Sequence, residues 1–111
     1  MNFELKMFVY NNIKEDSETI LNILQEVDFY GDAKAVEKVL DDKNVESRVV
    51  ILAGSLHSLD VCGDTIQMAE WNERLMDKLR ALWRFCMKNN KNASNVSNCL
   101  EQLENIVTTE I

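Results

Sequence analysis

Apolar residues along this chain recur at steps of three and four, the period of an α-helix with one buried face. From Ser17, the residues Ile20, Leu21, Leu24 and Val27 share a face, with Asp16 or Ser17 placed to cap the first turn and Gly31 beyond the end. This predicts a helix of about four turns. Asp32 caps the next predicted helix, in which Ala35, Val36, Val39 and Leu40 line one side before the polar run Asp41-Asp42-Lys43-Asn44. Val45, Val49, Leu52, Leu56 and Leu59 then form the stripe of a third helix. Val50, Ile51 and Ala53 make it apolar nearly all round, which predicts the central, most buried helix.

Arg48 to Gly54 also reads as a buried parallel strand, because periodicity does not separate the two over so short a run. A sheet needs further strands, and the other candidate, Phe3 to Tyr10, equally fits a helix carrying Phe3, Met7 and Tyr10. The helical reading is preferred. After Gly63, Asp64 or Thr65 is placed to cap a segment reaching about Asn89, as one long helix or two broken near Asp77–Arg80. Ile66, Met68, Trp71, Leu75, Leu79, Leu82 and Cys86 share one broad face of it, and Met76, Trp83 and Met87 form a strip beside that face. A polar turn over Asn89–Asn95 leads to a closing amphipathic helix with Val96, Cys99, Leu100, Leu103, Ile106 and Val107.

The chain has 111 residues, enough for one modest core, so a single domain over 1–111 is expected. It contains no proline and three glycines, which removes the turn punctuation of hairpins and sandwiches. With 46% apolar and 28% charged residues it has the balance of a folded globule. Its formal charge of −7 repels phosphate backbones and anionic headgroups, so no nucleic-acid or membrane partner is expected. No segment approaches about 20 consecutive apolar residues. The opening Met1–Tyr10 carries Glu4 and Lys6 and no secretory pattern. Cys62, Cys86 and Cys99 are odd in number and widely spaced, which suits reduced thiols and a cytoplasmic location. Asn92-Ala-Ser and Asn95-Val-Ser match a glycosylation acceptor pattern, but read here as helix-start chemistry.

Gly31-Asp32 and Gly63-Asp64 lie 32 residues apart, each joining an apolar helix to an amphipathic one. In both, glycine supplies a left-handed turn and aspartate caps the helix that follows. The expected fold is therefore all-α: a small helical bundle, or a degenerate tetratricopeptide-like array of antiparallel helix hairpins. With Gly63-Asp64 in mid-chain, Trp83 followed by Cys86, and Leu100 and Leu103 in a final helix, the chain resembles the tetratricopeptide-like chaperones of type III secretion needle subunits over residues 20 to 104. That resemblance implies a concave groove that grips an amphipathic helix of a partner.

Met68, Trp71, Leu75, Met76, Leu79, Trp83 and Met87 are the candidate partner-binding residues, since thioethers and aromatics adapt to a partner surface. The plainer reading of the same residues is core. The expected function is a protein-binding chaperone or adaptor. The alternatives are an acidic viral or phage-type inhibitor, and a bundle that associates with itself.

Catalytic candidates are lacking. His57 is the single histidine, and Cys62, five residues along a helix, falls off its face. The cysteines lack zinc-knuckle spacing, and neither a phosphate-binding glycine loop nor a calcium loop is present, so no enzyme activity, metal or cofactor is expected. Lys78, Arg80, Arg84 and Lys88 form a basic strip, for which pairing with Glu70, Glu73 and Asp77 is the simpler account.

Overall fold

The computed structural model describes residues 2–68 and 71–109, without the side chains of Met68, Trp71, Thr108 and Thr109. The fold is all-α in its bundle form. Five helices, α1 (Phe3–Gln25), α2 (Ala33–Asp42), α3 (Val45–Val61), α4 (Trp71–Lys88) and α5 (Ser94–Ile106), carry a short strand after α3, β1 (Ile66–Met68), and another after α5, β2 (Val107–Thr109). Arg48 to Gly54 lies wholly inside α3 and is helical.

The first helix differs from expectation. It starts at Phe3, where Asn2 Oδ1 accepts from the Leu5 N–H at 2.8 Å, and it runs through Asp16 and Ser17 without a break. Ser17 is no cap: it is fully buried in the middle of α1 with its hydroxyl unpartnered. The inward stripe, buried or half-buried, is Lys6, Tyr10, Ile13, Ser17, Ile20 and Leu24, at alternating steps of four and three. Half of those positions are polar or amphipathic, which hides the period from a reading of hydrophobicity.

The second departure is at residues 64–70. Helix α3 closes in a left-handed turn at Gly63, whose φ is +71°; Gly63 N–H donates to the Asp60 carbonyl and Asp64 N–H to the Leu59 carbonyl, both at 2.9 Å. Asp64 does not cap a helix. It takes the Lys6 ammonium at 2.8 Å, while the Tyr10 hydroxyl donates to the Thr65 carbonyl at 2.8 Å. The chain is thereby held extended along the start of α1 and becomes β1, which pairs in parallel with β2 in the register Ile66↔Val107. Helix α4 follows, unbroken at Asp77–Arg80. Only the first of the two glycine–aspartate pairs works as a helix start, with Asp32 Oδ1 accepting from Lys34 N–H at 3.2 Å. Gly31, unlike Gly63, does not adopt a positive φ.

Substituting Gly63 by alanine forces a Cβ into the left-handed region, although open space surrounds it. The expected loss is about 1–2 kcal/mol, read as a shift in the urea midpoint at constant slope.

Helix α1 packs on α3 and α4, and α5 packs on the same two, so four helices close a ring around one core. Lys6 of α1 meets Asp64 beyond the end of α3, so α1 and α3 are antiparallel. Asn95 meets Glu46 at the starts of α5 and α3, and β1 and β2 pair beyond their ends, so α3 and α5 run parallel. Every member of the predicted α3 stripe, Val45, Val49, Leu52, Leu56 and Leu59, is buried. Helix α2 lies outside the ring, held by a small separate cluster of Val27, Val36 and Phe85.

Candidate binding surfaces

Of the residues expected to grip a partner, Leu75, Met76 and Leu79 are buried in the core. Trp83 and Met87 remain on the surface, at 39% and 56% exposure. The side chains of Met68 and Trp71 lie outside the described residues. The stretch of α4 that carries Leu75, Met76 and Leu79 is thus packed into the fold, where α1 and α5 meet it. Arg80 of the basic strip is paired within the molecule, to Asp77 at 2.9 Å and to Glu104 at 3.6 Å.

Two features outside the expected set carry the potential for binding. One is the outer face of α3. Val50 and Ile51, expected to be covered, are exposed together with Val61, and Gly54 lies between them with nothing within 4 Å of where its Cβ would stand. This part of the helix has no Asp, Glu, Lys or Arg between Arg48 and Asp60, and His57 is its single titratable residue. Phe3, Leu5, Met7 and Phe8 are also exposed on α1, but at helical angles that place them as two pairs on different sides.

The other is a cavity of about 270 Å³ beneath the carboxyl end of α2. Its floor is apolar, with Leu40 from α2, Val45 and Val49 from α3, Leu82 and Cys86 from α4, and Val96 from α5. Helix α4 ends in a second left-handed turn, at Asn90 with φ +57°, and Lys91 N–H donates to the Cys86 carbonyl at 2.8 Å. This turn sets Lys91 at the rim, 3.6 Å from the Glu37 carboxylate on α2. Glu46 completes the opposite side and accepts from the Asn95 amide at 3.1 Å.

Burial pushes the Cys86 thiol pKa up, Lys91 opposes the rise, and Glu46 adds to it. At neutral pH the thiol is protonated, a small apolar patch of the floor and not a nucleophile. Asn92 Oδ1 accepts from Ser94 N–H at 2.9 Å, which makes this asparagine part of the start of α5. His57 and Cys62 are both exposed. Among the described residues, no three His, Cys, Asp or Glu side chains converge as a metal site, and no helix is long and apolar enough to cross a membrane.

Sequence reasoning missed the cavity. The available signal was α2 itself, a strongly amphipathic helix of 10 residues, too short to roof three longer neighbours, with Glu37 and Asp41 four apart on one flank.

Comparison of the chain with known protein families, with curated proteins and with solved structures gives no match.

Proposed function

We propose that this protein is a helical binding protein, a chaperone or adaptor that holds an amphipathic helix of another protein against the outer face of α3. The observation that carries this reading is the set of exposed apolar residues Val50, Ile51 and Val61, with the bare Gly54 among them, on one helix of a protein of net charge −7. Single exposed apolar residues are ordinary, but several on one helix face mark an interaction surface.

Gly54 adds to the argument. Glycine in a helix interior costs roughly 1 kcal/mol relative to alanine, and no packing inside this molecule requires it. A second helix lying across α3 does benefit, because a bare backbone lets helix axes approach closely. The resemblance to needle-subunit chaperones agrees with the same class of role, and with a cytoplasmic setting for it.

Two variants test the reading. Gly54→Ala is expected to raise the stability of the isolated protein by about 0.5–1 kcal/mol, seen as a higher melting temperature. Ile51→Asp is expected to leave folding intact and to reduce capture of the partner from host extract by at least about tenfold, the equivalent of 1.4 kcal/mol. Equal recovery of the same proteins by wild type and Ile51→Asp removes α3 as the docking face. If light scattering shows a dimer that Ile51→Asp dissolves, the helix held on α3 is that of a second copy.

A further inference from the structure

We infer that the cavity beneath α2 is a docking site for one large apolar side chain flanked by a lysine or arginine on a partner peptide. This goes beyond the reading of α3, since it rests on a different part of the molecule. The volume of about 270 Å³ falls below the roughly 300–1,000 Å³ of drug-sized ligand sites, and a cavity of about 150 Å³ already accepts a benzene ring. One leucine- or phenylalanine-sized group fits; a nucleotide or flavin does not. The floor offers such a group only aliphatic carbons and a neutral thiol, and burying an anchor side chain in a desolvated pocket is how peptide interfaces concentrate their affinity.

The rim supplies the charge preference. Glu37, Asp41 and Glu46 surround the mouth with Lys91 as the one cation among the described residues there, and Lys91 is already engaged with Glu37. Asp41 has no ion pair among the described residues, and Glu46 holds only the Asn95 amide. Asp41 also sits in the last turn of α2, where the carbonyl ends of the helix repel a carboxylate and attract a cation, and that turn contains no basic residue. A lysine or arginine beside the buried anchor meets both the free carboxylates and the helix terminus. The net charge of −7 draws a basic segment toward the whole molecule.

The test uses the full chain and three short fluorescent peptides: one of leucine and lysine, one of leucine and glutamate, and one in which serine replaces the leucines of the first. Anisotropy reads affinity, and amide spectra of labelled protein read the site. The leucine–lysine peptide is expected to bind, to move the amide signals of Leu82, Cys86 and Val96, and to weaken as salt is raised. The double variant Asp41→Asn, Glu46→Gln changes two exposed side chains, so its helicity should match wild type; it is expected to lose about tenfold in affinity.

Any of these peptide results overturns the inference: binding of the leucine–glutamate peptide with equal strength, binding of the serine peptide with equal strength, an unchanged affinity in the double variant, or signal changes confined to the outer face of α3. The last of these leaves the proposed function standing and removes only the cavity. Hexylamine, tested alongside, shares the chemistry; if it moves the same signals as strongly as the peptide does, the site is one for small amines and the peptide assignment falls.

Discussion

Leu56→Ala is expected to cost the protein about 3–5 kcal/mol, and Ile51→Ala less than about 0.5 kcal/mol, although the two residues sit five apart on one helix. Leu56 is fully buried on the side of α3 that faces both α1 and α5. Truncation there leaves a cavity walled by two helices that cannot both close in. Ile51 is 59% exposed on the opposite face and leaves nothing behind when shortened. Against a total stability of about 5–15 kcal/mol for a domain, the first change removes much of the margin and should lower the melting temperature by more than about 10 °C. Circular dichroism through a urea titration checks both. Equal losses from the two variants would mean that α3 is rotated from the orientation described.

A thiol-specific disulfide reagent is expected to modify Cys62 rapidly in the native protein and Cys99 only on unfolding. Cys62 is exposed just past the end of α3, whereas Cys99 is fully buried in α5. Burial pushes the Cys99 thiol from its ordinary 9.0 up to about 12. Since the thiolate is the reacting species, this alone removes on the order of a thousandfold of it at neutral pH, before lack of access is counted. Cys86, buried and also shifted upward, should react between the two. In denaturant all three thiols should react alike.

The same shift links stability to alkali. The folded state holds the Cys99 proton more tightly than the unfolded chain, so the contribution of the neutral thiol is complete below 9.0 and is lost as pH rises toward about 12. The denaturation midpoint should fall as pH rises above 9.0, and less so in Cys99→Ala.

Much of the bundle is legible from periodicity, because α3 and α5 bury residues whose hydrophobicity is unambiguous. Val45 through Leu59 and Val96 through Ile106 lie on the stripes their spacing predicts. Asp32 caps α2 as expected, since its carboxylate is in reach of the Lys34 N–H in the first turn of the helix. The amino-terminal half of α1 is hidden because Lys6, Tyr10 and Ser17 occupy inward positions, each with a polar end.

Residues 64–68 read as helix because Ile66 and Met68 extend the apolar pattern of α4 backward. The competing influences are long-range: a lysine 58 positions earlier that takes Asp64, and a strand partner some 40 positions later. No local window contains them. The candidate binding surfaces are harder still. Hydrophobicity places Val50 and Ile51 inside with Leu52, and only the packing of α1 and α5 on a shared side of α3 reveals that they are left out. On α4 the apolar pattern fits core and partner surface alike, and the fold buries Leu75, Met76 and Leu79 while Trp83 and Met87 stay at the surface.

The parallel pairing of β1 with β2 bears on how the chain is made. A ribosome releases α1, α2 and α3 well before α5, yet α5 covers one flank of α3 and is fastened at its far end only when Val107 reaches Ile66. Leu52, Leu56 and Leu59 are fully buried in the finished ring, and α1 and α5 are the two helices that pack on α3 to close it. Closing the core therefore rests on contacts between elements far apart in the chain, α5 on α3 and Val107 beside Ile66, which are the slow kind to form.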